Sequence, residues 1–317
     1  METLDNTSIW PELRYSDWRD TCETLHLWTQ VVGKIRLEQT PWLNHSWHVP
    51  LYVTPTGLTT SPIPHGLRSF ELRFDFVRHV LGVEVSDGGR REILLRPQAV
   101  ADFYAQVVQA LNELRLPVHI REMPCEIADA IPFSQDRSHC AYDASYVNRF
   151  RQVLVQIDSI FKGFRTGFLG KSSPVHFFWG SFDLAVTRFS GRRAPPFSGQ
   201  VPGVTNAVMR EAYSHEVSSA GFWPGGAGID YPAFYSYAYP TPPGFQGTPV
   251  SPQGAFFSAQ AGEFLLPYDI VRSSKDPQAQ LLAFLQSTYE AAADAAGWDR
   301  GALERESGEP GVCPDNS

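Results

Sequence analysis

The chain contains little cysteine, and its cysteines are scattered. The 317 residues include four, Cys22, Cys125, Cys140 and Cys313, and no two of them form a CxxC pair. A thiolate zinc site or a redox dithiol requires closely spaced cysteines, so this spacing argues against both. We therefore expect four reduced and buried thiols.

Basic runs and long apolar runs are also missing. The formal net charge is -8, which makes a phosphate backbone or an anionic membrane surface a poor electrostatic partner. No apolar run approaches the roughly 18 residues of a membrane span, and the N-terminal sequence lacks the basic and apolar regions of a signal peptide. These absences predict a cytoplasmic protein that binds neither nucleic acid nor membranes. They say nothing about its oligomeric state.

Familiar nucleotide and hydrolase motifs are not present. The stretch FLGKSS at 168–173 resembles a phosphate loop, but Arg165 stands where that motif requires glycine. No GxGxxG follows a predicted strand, and no GxSxG nucleophile elbow occurs.

What the chain does have is hydrophobic patterning. Hydrophobic residues make up 43% and aromatic residues 13% of the chain, enough to fill a sizeable core. Apolar residues at intervals of three and four predict helices over 15–37, after Pro97, over 144–168 and from Asp276-Pro277 onward. Strand-like runs lie between them, including HVPLYVT, FELRFDFV, VHFFWGSF, EAYSHEVSSAGF and EFLLPYDIV.

The order helix, strands, helix occurs twice, and short segments match between the two halves. SFEL around Glu71 matches SHEV around Glu216, EILL matches EFLL, and His48 and His176 occupy similar places. The sequence therefore predicts an α+β protein formed by tandem duplication of a helix, antiparallel strands and helix unit, with two adjoining antiparallel sheets flanked by helices. The alternative is ordinary α+β patterning. The predicted parts are a first repeat (10–115), a connector with one strand at VHIR (116–143), a second repeat (144–300) and a disordered tail (301–317).

Aromatic residues surround small ones in the strands of the second half, which indicates a cavity. Alternation along VHFFWGSFDL predicts His176 on one face of a strand and Asp183 on the other. Likewise, Tyr213 and His215 share a face in EAYSHEVSSAGF. The alternative is a thick aromatic core. The candidate ligand-binding residues are Phe178, Trp179, Tyr213, Phe222 and Trp223.

Histidines near these aromatics are the candidate chemical groups. His176 or His215 can act as a general base near neutral pH, with Glu216 or Asp183 orienting it. The other interpretation is a divalent metal, Zn, Fe or Mn, bound by His48, His176 and His215. The pair His45 and His48 would share a face only in a helix, which Pro50 disfavours.

Several long segments carry a family resemblance over about residues 10–300. HFFWGSFDLAVTRFSGRRAP, REAYSHEVSSAGFWPGG, TLHLWTQVVGKIRL, WHVPLYVT and STYEAAADAAGWDR resemble an uncharacterised bacterial family of unknown function, the DUF5996-like family. The resemblance implies a soluble bacterial protein built as one unit. It implies no reaction and no catalytic residue.

The leading hypothesis is an enzyme that acts on a small, partly apolar organic molecule in an aromatic-lined pocket. His176, His215 and Glu216 would supply acid–base or metal-ligand chemistry. The alternative is a non-catalytic binding protein with the same pocket, in which the histidines only donate and accept hydrogen bonds. A scaffold whose aromatic residues form only the core is the third interpretation.

Overall fold

Two antiparallel sheets and seven helices make up the described part of the chain. The computed structural model describes residues 9–226 and 228–305. The helices are α1 (Tyr15–Gln39), α2 (Val100–Glu113), α3 (Ala144–Thr166), α4 (Asn206–Ala212), α5 (Tyr268–Arg272), α6 (Pro277–Ala295) and α7 (Arg300–Leu303). Short 3-10 turns occur at Asn44–Ser46, Phe133–Gln135 and Phe245–Gly247.

The long helices form where the apolar spacing places them. The predicted stripe of α1 is buried from Trp18 to Ile35. The carboxylate of Asp143 accepts hydrogen bonds from two backbone amides of the first turn of α3, and Asp276 caps α6 in the same way. The predicted helices at 15–37, 144–168 and 277 onward are therefore present, with ends within two residues of those predicted where an end was given.

The first sheet has six strands and lies in the first half of the chain. Its strand order is β1-β2-β4-β5-β6, and β3 pairs with β4 beside this path. All pairs are antiparallel. Its strands are β1 (Tyr52–Thr54), β2 (Gly57–Thr59), β3 (Ile63–His65), β4 (Arg68–Asp75), β5 (Val80–Val85) and β6 (Arg90–Leu94).

The second sheet also has six strands, with the order β11-β12-β10-β9-β8-β7. Strands β7 to β10 pair in chain order, β12 then pairs with β10, and β11 lies at the edge beyond β12; all pairs are antiparallel. Its strands are β7 (His176–Phe178), β8 (Asp183–Arg193), β9 (His215–Trp223), β10 (Ala233–Tyr239), β11 (Phe256–Ser258) and β12 (Glu263–Pro267).

The two sheets meet beside β7. Leu51 and Phe177 exchange backbone hydrogen bonds of 2.8 Å each, which form an antiparallel bridge between the halves. The guanidinium of Arg36 donates to the carbonyl oxygens of His48 (2.7 Å) and Pro50, so α1 holds the segment that leads into the bridge. The indole of Trp179 donates to the carbonyl of Val49 at 2.8 Å. The predicted adjoining of two antiparallel sheets is confirmed.

The internal duplication is not confirmed. Both sheets have six strands, but the first has a branch at β3 and the second has β11 added beyond β12. The domain boundaries drawn from the duplication remain predictions. The predicted disordered tail begins with structure: residues 301–303 belong to α7, and Glu304 pairs with Phe168 in a backbone bridge. The rest of that tail, 306–317, lies outside the described residues.

Several local predictions are wrong. The predicted strand VHIR has no strand structure. The strand predicted over EAYSHEVSSAGF begins only at His215. Thr205 accepts a hydrogen bond from the Val208 amide and starts α4, and the end of that helix and the turn after it occupy residues 211–214. The predicted strand 263–271 ends at Pro267, and α5 follows.

Two further sequence predictions concern the burial of the cysteines and the hydropathy of the helices. Cys22 and Cys125 are buried, but Cys140 is exposed, which corrects the expectation of a buried thiol there. Cys313 lies outside the described residues. In residues 9–226 and 228–305, no helix has the length and apolar character needed to cross a membrane.

Candidate active site

A cavity of about 500 Å³ lies over one face of the second sheet. Alternate residues of β8, β9, β10 and β12 form its floor, because side chains alternate between the two faces of a strand. The opposite face carries Phe222 and Phe234, which pack against Tyr268 of α5. One face of the sheet is therefore core, and the other carries polar, small and aromatic side chains. The floor residues are Asp183, Ala185, Thr187, Val217, Ser219, Trp223, Tyr235, Tyr237 and Glu263.

Asp183 is the most buried carboxyl group of the cavity, with 4% of its surface exposed. The hydroxyls of Ser181 and Tyr235 each donate a hydrogen bond to its carboxylate. Burial nevertheless dominates and raises the pKa of Asp183 to about 6. Asp183 can therefore gain or lose a proton close to neutral pH.

Tyr235 reaches Asp183 because the residue between them is glycine. Tyr235 of β10 pairs with Gly221 of β9, and Gly221 pairs with Ala185 of β8. A Cβ atom at Gly221 would lie 2.3 Å from the hydroxyl and ring of Tyr235. The phenol thus lies flat across β9 and places its hydroxyl on the neighbouring strand.

We expect Gly221→Ala to lower the free energy of unfolding by about 2 kcal/mol, because the new methyl group displaces the Tyr235 ring and breaks its hydrogen bond to Asp183. Urea unfolding measures the effect. In a Tyr235→Ala background there is no ring to displace, so the same change should have almost no effect. An equal loss in both backgrounds would contradict this geometry. Gly163→Ala, in α3 with open space around it, is the matched control and should not destabilise.

Glu263 lies at the far side of the floor, on β12. Its Oε2 atom is buried and has no hydrogen-bond partner among the described residues. Burial, with the negative charge of Asp183 as the second cause, raises the pKa of Glu263 to about 8. This carboxyl group is therefore largely protonated at neutral pH.

A chain of hydroxyl groups crosses the floor in front of Glu263. The hydroxyls of Tyr213 and Tyr237 lie 3.0 Å apart, and those of Thr187 and Ser219 lie 2.9 Å apart. A hydrogen bond between Tyr237 and Ser219 joins the two pairs. Burial raises the pKa of both tyrosines, so they remain neutral donors and acceptors.

Glu126 brings a third carboxyl group from the connector. Gln30 of α1 fixes this turn, since its side chain donates to the carbonyl oxygen of Cys125 and accepts from the Cys125 amide, both at 2.9 Å. The carboxylate of Glu126 rests against Gly180, where a Cβ atom would lie 2.1 Å from Oε1. The side chain is accessible, yet the enclosing protein raises its pKa to about 7, with Asp183 as the second cause.

His176 also lines the cavity and is 1% exposed. Neither of its ring nitrogens has a hydrogen-bond partner among the described residues. Burial, with the charges of Arg36 and Arg165 as smaller causes, lowers the pKa of His176 to about 3. The imidazole is therefore neutral, with one donor and one acceptor nitrogen turned to aromatic neighbours such as Phe178, 4.6 Å away between ring centroids.

The roof of the cavity is the segment around α4, a helix with no buried side chains. The carboxylate of Glu211 accepts hydrogen bonds from the indole of Trp42 (3.1 Å) and from the backbone amide of His45 (3.1 Å). His45 also contacts the roof through Nδ1 and the Ala212 carbonyl at 3.3 Å, while its Nε2 lies 2.7 Å from Nζ of Lys171. A few polar contacts thus attach the roof to the rim of the cavity.

The structure brings several of the residues proposed from sequence into this cavity. His176, Phe178, Trp179, Tyr213 and Trp223 line it. Phe222 faces the core instead, since it alternates with Trp223 along β9.

Three other candidates lie away from the described lining. Glu216 faces the opposite side of β9 and binds Arg192 at 2.7 Å. His215 lies 3.0 Å from the Ser214 hydroxyl through Nδ1, and the Nδ1 of His48 accepts from the Leu43 amide at 3.2 Å.

The proposed metal ligands do not form a recognisable metal site. Across residues 9–226 and 228–305, no group of three or more His, Cys, Asp or Glu side chains has the arrangement needed to hold a metal ion. His48, His176 and His215 are therefore not such a group. The chemistry of the cavity is that of carboxyl, phenol and imidazole groups.

Sequence reasoning gave Asp183 only a supporting role and missed Glu126, Tyr235, Tyr237 and Glu263. Alternation placed Asp183 opposite His176, but the chain turns over 179–182, so both line the cavity. The sequence does contain a pattern that could have indicated these floor residues. The strands pair small or polar residues on one face with Phe and Leu on the other, which indicates a sheet with one polar, enclosed face.

Fold and site together define an α+β protein with an acidic, aromatic cavity over one antiparallel sheet. The chain belongs to a family of unknown function, DUF5996, whose sequence profile matches residues 10–305. This confirms the resemblance seen in the sequence. No curated protein and no solved structure shows significant similarity to the chain.

Proposed function

We propose that this protein is an enzyme that acts on a small, partly apolar organic molecule in the cavity, by general acid–base catalysis. The observation that carries the proposal is the meeting of carboxyl groups with raised pKa and a neutral imidazole in one aromatic-lined cavity. Perturbed titratable groups gathered in a cavity are typical of active sites. A volume of about 500 Å³ suits a metabolite-sized molecule.

The pKa values divide the roles between the carboxyl groups. Asp183, with a pKa of about 6, is mostly ionised at neutral pH and is the proposed base. Glu263, with a pKa of about 8, is mostly protonated and is the proposed acid. Tyr235 orients Asp183, and the neutral His176 would bind a polar group of the substrate. His215 and Glu216, proposed from sequence, have no place in this version of the mechanism.

The second candidate is a binding protein without catalysis. The attachment of the roof favours it, because Glu211 ties α4 to both Trp42 and His45 and so would help to retain a bound molecule. In this version the carboxyl groups only hold the ligand.

One experiment separates the candidates. The purified protein and Asp183→Asn are each incubated with a small-molecule extract of bacterial cells at neutral pH, and the extract is compared by mass spectrometry. We expect one compound to be consumed and one formed by the wild type, with the rate reduced at least about a hundredfold in Asp183→Asn. Retention of an unchanged compound on the wild-type protein supports the binding candidate. If the protein neither consumes nor retains any compound, both are contradicted.

A further inference from the structure

The carboxyl groups of the cavity have no cationic partner. Glu126, Asp183 and Glu263 come from three separate segments, and none forms an ion pair with a Lys, Arg or His side chain of the described residues. The negative charge of Asp183 raises the pKa of both glutamates, and no positive charge lowers either. A buried carboxyl group without a cationic partner is held with a raised pKa, as Asp183 and Glu263 are. A cationic group on the molecule that enters would supply the missing partner.

His176 gives an independent indication of a ligand. It is 1% exposed, lies on the cavity floor and has two ring nitrogens without partners among the described residues. Buried polar groups in proteins are nearly always hydrogen-bonded. A neutral imidazole can accept a hydrogen bond from an ammonium group, so His176 suits the same ligand as the carboxyl groups.

The aromatic floor fits a cation as well. The rings of Trp223 and Tyr235 stack with centroids 4.3 Å apart, and Tyr237 lies 6.2 Å from Tyr235. The faces of Trp and Tyr rings attract ammonium groups and also cover apolar carbon chains. An amine with an apolar body uses both properties.

The composition of the lining argues against other ligand classes. Among the described lining residues there is no arginine, asparagine or glutamine. Arginine is the usual partner of a carboxylate or phosphate ligand, and amide side chains are common polar contacts for neutral polyols. No described cluster suits a metal ion. One lysine, Lys34, is among the described lining residues, against three carboxyl groups, so the charge of the lining favours an organic cation.

We propose that the molecule held in the cavity is an organic cation, an amine with an apolar or aromatic body, whose ammonium group binds Asp183 and Glu263. This inference rests on the proposed function and specifies its substrate class. The affinity for such a cation should rise with pH as the carboxyl groups lose their protons. The other ionisable groups facing the cavity are Lys34, His45, Cys125, His176, Tyr213, Tyr235 and Tyr237.

Matched probes test the charge of the ligand. Calorimetry near pH 8 compares 2-phenylethylamine with its neutral analogue 2-phenylethanol and with the anion 3-phenylpropionate. We expect the amine to bind at least about tenfold more tightly than the alcohol, and the anion most weakly. Equal binding of amine and alcohol overturns the inference, and so does a lack of binding by the amine.

Variants locate the charge. Asp183→Asn and Glu263→Gln should each weaken amine binding about tenfold and leave alcohol binding unchanged, whereas Glu84→Gln, in the first sheet, should change neither. Glu126→Gln, at an accessible side chain, gives a test in a variant that we expect to fold, and it should weaken amine binding in the same direction. Unchanged amine affinity in all three cavity variants overturns the inference.

A permanently charged probe isolates the titration of the protein. The affinity for benzyltrimethylammonium should rise between about pH 5 and about pH 9, because the carboxyl groups of the cavity become charged while the probe keeps its charge. A flat profile contradicts the inference. The proposed function is tested separately by the extract experiment. If that experiment yields a neutral substrate, the proposed function stands and only the inference about charge is overturned.

Discussion

Trp179→Ala is expected to lower the free energy of unfolding by about 4 kcal/mol. The side chain is 6% exposed, and its ring lies directly on Gly33 of α1, where a Cβ atom would be 2.3 Å away. Its indole also donates to the carbonyl of Val49 at 2.8 Å. Truncation removes this packing and leaves a void between the two halves. It also leaves the buried carbonyl oxygen of Val49 without its hydrogen-bond donor.

Equilibrium unfolding in urea measures the loss. Trp42→Ala is the matched control, since that indole is 54% exposed, contacts the His48 ring and donates to Glu211 of the roof. It should lower the free energy of unfolding by less than about 1 kcal/mol. Similar losses in the two variants would show that Trp179 does not join the halves as described.

Raising the pH from about 6.5 to about 8.5 is expected to lower the free energy of unfolding by about 2 kcal/mol through Glu263 alone. The pKa of Glu263 is about 8 in the folded protein, against about 4.3 in an unfolded chain. The folded state therefore holds a proton that the unfolded state has lost. The stability contributed by this proton is present at low pH and disappears as the pH rises through the folded pKa.

Glu263→Gln should reduce the pH dependence over this window, because glutamine cannot ionise, and leave the smaller part that comes from Glu126, whose pKa is about 7. The buried histidines His176 and His26 do not account for a difference in pH dependence between the wild type and this variant. His176 has a pKa of about 3 and His26 of about 4, so both are neutral in the folded protein here, and above about pH 6.5 they are mostly neutral in the unfolded chain. Chemical unfolding of both proteins at a series of pH values gives the answer. Identical slopes for wild type and variant would exclude Glu263 as the cause.

The helices and the two sheets could be predicted because their apolar spacing reflects burial. The stripe of α1 and the capped starts of α3 and α6 are local features of the sequence. The branch at β3 and the position of β11 depend on long-range pairing, which local patterns do not encode. The proposed duplication drew on local matches such as Glu71 with Glu216, and these do not determine strand order.

The candidate site was only partly predictable for the same reason. The aromatic residues of the second half indicated a cavity, and Trp179 and Trp223 line it. The carboxyl groups were missed because their meeting depends on a turn at 179–182, on the connector that carries Glu126 and on the sheet register of Glu263. A histidine is a functional candidate from its residue type alone, whereas a single Asp or Glu becomes one only when the structure shows that it is buried in a cavity.

The central claim is that carboxyl groups share one enclosed cavity and exchange protons near neutral pH. Carbon-13 NMR of protein labelled at the Asp and Glu carboxyl carbons tests it most directly, with resonances assigned by their loss in Asp183→Asn and Glu263→Gln. We predict titration midpoints of about 6 for Asp183 and about 8 for Glu263. Midpoints near 4 for both groups, the ordinary values of solvated carboxyl groups, would contradict the account.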